Sequence, residues 1–324
     1  MLKKTFCLFL KAIVSVTAFS LIFFLIQPFF IPKFIVYNTE STVFVNSFRE
    51  LPANCVDVLF LGSSQMYSTV DSELLFSEYD IRSWNFGAAA QPVSITPYYL
   101  NEALKTQSPK LVAVEVGHIF AENSKITQGE LAWNYASMPP SKEKMESLER
   151  VLGDKTKACI HAFFPLLVYH DRWRVLNEHS DTDNRYDIDY VLHPDKYNGL
   201  YPRGFPRSKA VNKQEYNFKN SDTALKAIPS ESKDAVQTIV RVCLERNIGL
   251  LFFRSPSPSW TVGESNSVKA FMDKQGLSFM DLNDLYDDLA LDENSDFTDV
   301  KHLNVFGSEK VTRYLAGILQ SYLG

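Results

Sequence analysis

Cysteine is scarce in this sequence, and none of it is arranged as a metal site. The chain has 324 residues and four cysteines, Cys7, Cys55, Cys159 and Cys243. No Cys-x-x-Cys pair and no Cys/His spacing typical of zinc is present. Three scattered cysteines beyond the amino-terminal segment do not make a disulfide framework. The sequence therefore indicates a fold stabilised by its core.

Clustered basic residues and basic-aromatic stripes are also lacking. The net charge is −5, and residues 1–32 contain three lysines and no acid, which leaves −8 on the remainder. Phosphate binding needs clustered Lys and Arg, so nucleic acid is not expected as a partner. The hydrophobic content of 45% and charged content of 22% are typical of a globular protein.

One long apolar run is present near the amino terminus. Residues 12–31 are interrupted only by Ser, Thr and Gln, and about 20 helical residues span a bilayer core. Lys3, Lys4 and Lys11 precede the run, which places that end in the cytoplasm. A cleaved signal peptide is the alternative, but the run is longer than a usual signal core. We expect residues 1–32 to be an uncleaved single-pass anchor in the cell membrane, with the carboxyl-terminal domain extracytoplasmic.

The rest of the chain alternates short apolar runs with amphipathic helical patterns. This order is typical of a parallel sheet covered on both faces, so we predict an α/β fold, a three-layer α/β/α sandwich. Residues 33–54 are expected to be a linker and residues 55–324 the catalytic domain, with an insertion at about 122–230. The predicted strands are 56–61, 83–86, 111–116, 249–253 and 277–281, and the predicted helices are 95–106, 233–246, 265–275 and 306–322.

Two short motifs near opposite ends of this domain carry chemistry. The first strand runs into Gly62-Ser63-Ser64-Gln65, and Asp299-Val300-Lys301-His302 precedes the last helix. A hydroxyl, a base that deprotonates it and a carboxylate that orients the base form a catalytic triad in any chain order. The alternative is that Ser64 caps a helix and that Asp299 and His302 mark the start of another. The pairing of the two motifs favours catalysis.

With these motifs, the chain resembles the SGNH/GDSL hydrolase superfamily, in particular its membrane-anchored, cell-surface, DltD-like branch. The resemblance implies Ser64 as nucleophile, with Ser63 as a rival because the usual Gly-Asp-Ser is Gly-Ser-Ser here. It implies His302 as base and Asp299 as the carboxylate that orients it. Asn85-Phe86-Gly87 matches the second family block, which implies that the backbone N–H of Gly87 serves the oxyanion hole. Gly87 is also compatible with a turn of positive φ.

The third family block departs from its pattern. The resemblance leads us to expect Gly-x-Asn-Asp, whereas the chain reads Glu115-Val116-Gly117-His118-Ile119-Phe120, without the asparagine donor. Loss of one oxyanion donor typically costs about 10²–10³ in rate. Gln91 is the candidate replacement because it follows the second block and offers an amide N–H.

Three other residues near the expected crevice carry charge or titrate, and structural roles are weighed for each of them. A buried Glu115 needs a partner, and an arginine salt bridge is the expected role. His118 follows a buried strand, and a packing role is expected for it. Arg254 either steers an acidic polymer or pairs with an acid.

The expected function is that of a serine esterase or O-acyltransferase acting on acyl esters of cell-envelope polymers or glycans. The triad requires no metal or organic cofactor. The resemblance further implies a membrane-bound O-acyltransferase as a partner. The alternative is a catalytically weak SGNH-fold binding or scaffold protein of a membrane acylation complex, which the missing asparagine supports.

Overall fold

The computed structural model describes residues 2–35, 41–174, 187–211 and 222–324, and only the backbone of residues 2–4 and 187. The chain divides into two compact units, each described by itself below. The first consists of Met1–Lys33 and Pro139–Lys196, and the second of Phe34–Met138 and Tyr197–Gly324. The expected insertion at 122–230 therefore contributes to both units, and residues 175–186 and 212–221 of it lie outside the described residues.

The second unit contains a five-stranded, fully parallel sheet in the order β2-β1-β3-β4-β5. Each strand predicted from the sequence is found, with its ends shifted by at most two residues, and the α/β fold class is confirmed. The strands are β1 Val58–Gly62, β2 Ser83–Gly87, β3 Leu111–Glu115, β4 Gly249–Arg254 and β5 Phe279–Asp281.

Helices connect and cover these strands. The four predicted helices correspond to the fifth, eleventh, twelfth and thirteenth in the described part of the chain. The helices are α1 Leu2–Phe30, α2 Ser41–Arg49, α3 Ser64–Thr69, α4 Ser72–Tyr79, α5 Thr96–Ala103, α6 Gln128–Tyr135, α7 Lys142–Leu152, α8 Lys155–Phe163, α9 Pro165–Val168, α10 Asp187–Leu192, α11 Ser230–Glu245, α12 Val262–Lys274 and α13 Val305–Leu323.

Successive side chains of a strand point to opposite sides of the sheet. Here the side chains on both sides are largely apolar, so both faces are covered. Phe60 and Phe253 lie in the core cluster shared with Val311 and Leu315 of α13. On the opposite face Phe86 of β2 lies 5.1 Å, centre to centre, from the ring of Tyr99 in α5. Burial on both sides explains why the strands read as nearly continuous hydrophobic runs.

Part of the stretch expected to be a linker is instead a packed helix. Residues 33–54 contain α2, in which Val43, Phe44, Val45 and Phe48 are buried. The ring of Phe48 stacks on Phe86 at 4.2 Å between centres, so α2 covers the edge strand β2.

The strand order defines where a ligand crevice forms. The chain leaves β1 toward β2 on one side and then crosses to β3 on the other, so β1 and β3 flank the switch point of the sheet. Open α/β sheets bind ligands at the carboxyl ends of the strands beside such a point. Gly62 ends β1 and Glu115 ends β3, which places the segments that follow them at this edge.

In the first unit, α1 contains an apolar stretch, Thr5–Phe30, with a mean hydropathy of 2.3. By length and composition it is able to cross a membrane, although a signal sequence has the same properties. The carboxyl part of α1 contacts α9, α10 and the short 3₁₀ helix His170–Arg174, while α7 and α8 pack against each other.

Candidate active site

The turn after β1 is shaped by a glycine. Gly62 has φ +150°, a value that residues with side chains rarely adopt. A Cβ atom at this position would lie 2.8 Å from Cβ of Glu115 on the neighbouring strand. Glycine therefore lets β1 pass close to β3 and turn directly into α3. Ser63 is the N-cap residue of α3, and Ser64 is its first residue.

The two serines of this turn have different partners. The hydroxyl of Ser63 donates to Oε2 of Glu115 at 3.2 Å and accepts from the backbone N–H of Gln65 at 3.2 Å. Its hydrogen bonds are therefore used to cap α3 and to contact Glu115 of β3. The hydroxyl of Ser64 instead lies 2.8 Å from Nε2 of His302. The geometry separates the two residues that the sequence left as rivals.

Ser64, His302 and Asp299 form a continuous chain of hydrogen bonds. Nδ1 of His302 lies 2.8 and 2.9 Å from the two carboxylate oxygens of Asp299. With the proton on Nδ1 directed at the carboxylate, Nε2 is left to accept from the Ser64 hydroxyl. The side chain of Ser64 comes from a position 238 residues before His302, so only the fold brings the two together.

The loop that carries the histidine is closed by the backbone. An isolated antiparallel bridge joins Phe297 to Leu303, and the N–H of Thr298 donates to the carbonyl of His302 at 2.9 Å. The N-cap of α13 is Asn304, which accepts from two backbone N–H groups of that helix. Asp299 is thus not the helix cap that the alternative interpretation required.

The carboxylate of Asp299 is held by several donors. Besides the imidazole, it accepts from the backbone N–H of Lys301 at 2.7 Å and of His302 at 3.0 Å. Burial pushes the pKa of Asp299 upward, but the hydrogen bond and charge of His302 and these two N–H groups together lower it below its usual value. An ionised carboxylate is the form that orients an imidazole and stabilises its protonated state.

The loop after β4 contacts both halves of this arrangement. The Ser255 hydroxyl donates to the carbonyl of Gln65 at 3.1 Å, and the Ser257 hydroxyl donates to the carbonyl of Val300 at 3.1 Å. Asn283 braces the loop by pairing with the backbone N–H and C=O of Ser257. The loop thereby connects the segment carrying the serine with the segment carrying the histidine.

Gly87 and Gln91, the predicted oxyanion residues, have other structural roles in this edge of the sheet. Gly87 has no positive φ, but a Cβ there would lie 2.0 Å from the carbonyl oxygen of Gly62, so the close approach of β2 to β1 requires glycine. The Gln91 amide accepts from the N–H of Ala88 at 3.0 Å and donates to Oγ1 of Thr96 at 3.1 Å. Gln91 therefore braces its own loop, and its oxyanion role stays a prediction without support from these contacts.

Glu115 does not make the expected arginine ion pair. Its Oε1 accepts from the N–H of Gly117 at 2.6 Å, and burial raises its pKa to about 7. The buried arginine of this region, Arg254, pairs instead with Asp281, at 3.0 Å between Nε and Oδ1. The Arg254 guanidinium also lies 4.0 Å from the ring centre of Trp260. Of the two interpretations of Arg254, pairing with an acid is the one observed.

A pocket of about 330 Å³ opens beside the hydrogen-bonded chain. Gln65 and Lys301, the chain neighbours of Ser64 and His302, line it, and so does His118. Burial, with the nearby charges of Lys301 and His302, lowers the pKa of His118 to about 4, so its imidazole is neutral near pH 7. Within the described ranges Lys301 has no ion-pair partner, whereas Lys226 on the same pocket pairs with Glu264 at 2.7 Å.

Sequence analysis missed the contributions of several of these residues. Ser255, Ser257 and the pocket-lining Lys301 have no motif of their own. Proximity in the chain was the signal available for Gln65 and Lys301, since they adjoin Ser64 and His302. Among the described side chains, no group of three His, Cys, Asp or Glu residues is placed to hold a metal ion.

Comparisons with known proteins identify no family. No protein-family profile matches the chain, and no curated protein matches it. Among solved structures, the chain is similar to a Bacteroides fragilis protein described as a "putative acylhydrolase", with a TM-score of 0.40 and 11% sequence identity. The similarity covers 87% of this chain and 96% of that one. At this TM-score the likeness carries no argument about the site or its chemistry.

Proposed function

We propose that this protein is a serine-dependent ester hydrolase or acyltransferase of the SGNH type, with Ser64, His302 and Asp299 as its catalytic residues. The observation that carries the proposal is the unbroken series of hydrogen bonds from the Ser64 hydroxyl through His302 to Asp299. A structural N-cap serine has no need of an imidazole partner from a distant loop. Ser63, which does cap the helix, has none.

The proposed reaction has two halves. Ser64 Oγ attacks the carbonyl carbon of an ester while Nε2 of His302 takes the hydroxyl proton, and Asp299 stabilises the imidazolium. The imidazolium then returns the proton to the departing alkoxide, leaving an acyl-serine. In the second half, water or an acceptor hydroxyl gives its proton to His302 and attacks the acyl carbon, and the proton returns to Ser64.

The oxyanion of each tetrahedral intermediate requires hydrogen-bond donors. We propose the backbone N–H groups of Ser64 and Gly87, which lie at the ends of the paired strands β1 and β2. The neutral imidazole of His118 also follows β3, one residue before Ile119, which occupies the place of the family's asparagine. These assignments follow from their positions at the same edge of the sheet.

The pocket supports a polar substrate. Its lining offers amide, imidazole, hydroxyl, ammonium and carboxylate groups rather than a continuous apolar wall. A long fatty acyl chain would leave such groups without hydrogen-bond partners, whereas a hydroxylated sugar or polyol satisfies them. The proposed substrates are therefore short acyl esters of an envelope glycopolymer or glycan. The polar lining residues are Gln65, His118, Lys226, Ser259, Glu264 and Lys301.

The location of the reaction follows from α1. We propose that α1 anchors the protein in the cell membrane with the catalytic unit on the extracytoplasmic side, as the lysines before the apolar run favour. The resemblance to the DltD-like branch supports a membrane-bound O-acyltransferase as a partner, which would supply or receive the acyl group.

A second candidate is a binding or scaffold protein with little catalytic activity. The absence of an asparagine after β3 favours it, because Ile119 stands in its place. In that case the pocket would hold a glycan without turning it over.

A fluorophosphonate probe distinguishes the two candidates. The full chain in detergent should be labelled at Ser64, as peptide mapping would show, and labelling should vanish in Ser64→Ala and weaken strongly in His302→Ala. Turnover of an acetyl ester with and without a glycan acceptor then separates hydrolysis from transfer. Absence of labelling in folded protein would favour the scaffold.

A further inference from the structure

A short segment of the first unit is fixed to the carboxyl end of α1. This segment, residues 164–174, comprises Phe164, α9 and the 3₁₀ helix that follows, and we call it the collar. The ring of Phe164 lies 6.4 Å, centre to centre, from the rings of both Phe23 and Phe24. These two phenylalanines belong to the apolar stretch of α1.

Polar contacts hold the collar to the last turns of the same helix. The backbone N–H of Leu166 donates to Oε1 of Gln27 at 3.4 Å, and Nη1 of Arg172 donates to the carbonyl of Phe30 at 2.9 Å. Gln27 is buried by these contacts, although it lies in an otherwise exposed helix. Lys33 adds a cation at the helix end, where its Nζ donates to the carbonyls of Pro28 and Ile31.

The position of these contacts along α1 sets their depth in a bilayer. The apolar stretch has 26 residues, and at about 1.5 Å per residue it is about 39 Å long, against about 30 Å for a hydrocarbon core. Its ends therefore extend into the headgroup regions. If α1 spans the membrane as proposed above, Phe30 lies among the headgroups, and Phe23 and Phe24 lie about two turns deeper, near the boundary with the acyl chains.

The outward surface of the collar has the chemistry of that boundary. Leu167 is 53% exposed and Trp173 is 63% exposed. The guanidinium of Arg174 lies 5.4 Å from the ring centre of Trp173. Arg172 and Arg174 outnumber the single acid, Asp171. Tryptophan with a neighbouring cation is enriched at membrane–water interfaces, where the ring stays among acyl chains and the charge reaches the headgroups.

We propose that the collar binds the lipid surface around the carboxyl end of α1, with Leu167 and Trp173 inserted at the acyl boundary and Arg174 at the headgroups. The protein would then hold the membrane through a spanning helix and an interfacial segment together. This proposal goes beyond the catalytic one and does not depend on Ser64 chemistry. Lipid is the proposed occupant because a membrane-spanning α1, as proposed above, places the collar at the height where lipid headgroups surround the helix.

Tryptophan fluorescence tests the depth of the collar. The full chain is reconstituted into phosphatidylcholine vesicles that contain lipids brominated either near the headgroup or near the chain end. We expect the shallow bromines to quench more strongly than the deep ones, and this quenching to be lost in Trp173→Phe. The other three tryptophans, Trp84, Trp133 and Trp260, belong to the second unit and supply the background.

A matched pair of leucine variants separates insertion from general damage. Leu167→Asn should reduce lipid quenching of Trp173 and increase its quenching by aqueous acrylamide. Leu244→Asn, at a leucine 75% exposed on α11, should change neither. Equal acrylamide quenching of Trp173 in vesicles and in denaturant would overturn the proposal. So would shielding that appears only in native membranes, which would indicate a protein partner, or a mature protein that lacks residues 1–30.

Discussion

The hydroxyl groups of Ser63 and Ser64 are adjacent in the chain and have opposite surroundings. Ser63 donates to the buried carboxyl of Glu115, while Ser64 contacts the imidazole of His302. Gly62 precedes both serines, and its φ of +150° lets β1 turn directly into α3, where they lie. One hydroxyl is therefore used for structure, and the other is free to react.

Substitution of the two serines should separate these roles. Ser64→Ala should abolish fluorophosphonate labelling and reduce ester turnover by at least about 10³, because the nucleophile is lost. Ser63→Ala should keep the labelling but lower the free energy of unfolding by about 1 kcal/mol, since the cap of α3 is lost. Labelling and denaturation measurements on the full chain in detergent check both. Labelling that disappears only in Ser63→Ala would assign the nucleophile to Ser63.

The carboxylate of Asp299 should matter for turnover more than for stability. Asp299→Asn can still accept from the N–H groups of Lys301 and His302, but it no longer favours a proton on Nδ1 of His302. We expect kcat to fall by about 10²–10⁴ with little change in the melting temperature. Steady-state kinetics and calorimetry measure the two effects. Unchanged kcat would remove Asp299 from the proposed triad.

Ser257 is predicted to be a positioning residue. Ser257→Ala removes the hydrogen bond to the carbonyl of Val300, and a lost hydrogen bond of about 1 kcal/mol that orients the histidine loop corresponds to about fivefold in rate. We expect kcat to fall and KM to change little. The control is Ser94→Ala, which removes a hydrogen bond to Asn123 outside the loop. An equal loss of kcat in both variants would contradict the assignment.

Gly87 should not tolerate a side chain. Gly87→Ala puts a Cβ atom 2.0 Å from the carbonyl oxygen of Gly62, so β1 and β2 must separate where the nucleophile turn begins. We expect a loss of several kcal/mol in stability, as in severe overpacking, together with a loss of labelling. Gly317→Ala is the matched control, because nothing lies within 4 Å of its added Cβ in α13. That variant should gain up to about 1 kcal/mol in helix stability.

The buried carboxyl of Glu115 should give a pH-dependent contribution to stability. Burial raises its pKa from 4.5 to about 7, so the folded state binds this proton more tightly and the contribution is lost as the pH rises through that range. Relative to wild type, Glu115→Gln should therefore gain on the order of 3 kcal/mol in unfolding free energy between pH 4.5 and 7. Urea denaturation across this range provides the measurement.

The pH dependence of stability contributed by His118 has the opposite sign to that of Glu115, over nearly the same pH range. Burial lowers its pKa from 6.5 to about 4, so its contribution to stability is lost as the pH falls through that range. The two groups offset each other in wild type. His118→Gln should remove the loss of stability that wild type shows as the pH falls from 6.5 to about 4. The difference in unfolding free energy between this variant and wild type should therefore change with pH in the opposite direction to that of Glu115→Gln. Parallel differences would show that one of the two groups is not titrating as described.

The sheet could be predicted from the sequence because each buried strand is a short apolar run bounded by turn residues. The hydrogen-bonded pairing of Ser64 with His302 could also be anticipated, since a hydroxyl after β1 and an Asp-x-x-His before α13 have complementary chemistry. Helix α2 could not, because four apolar residues in a nine-residue helix are too weak a pattern to distinguish from a linker. The partners of Glu115 and Arg254 depended on side-chain directions that only the folded sheet defines.

Gln91 shows a different limit of prediction from the sequence. Sequence reasoning considered its amide as a donor to substrate, but an amide side chain also satisfies backbone groups of its own loop, and here it contacts Ala88 and Thr96. No local pattern distinguishes these two uses. The hydroxyls of Ser255 and Ser257 were overlooked for a related reason, since their acceptors lie far away in the sequence.

The residues that line the pocket beside Ser64 and His302 differ in how freely they can be substituted. Gln65 adjoins Ser64, and Lys301 lies within the turn held by Asp299, so substitutions there disturb the proposed catalytic residues themselves. Lys226 borders the same space and pairs with Glu264 instead. Altered acceptor preference, whether by evolution or by engineering, should therefore arise first at Lys226, leaving the proposed reaction chemistry intact.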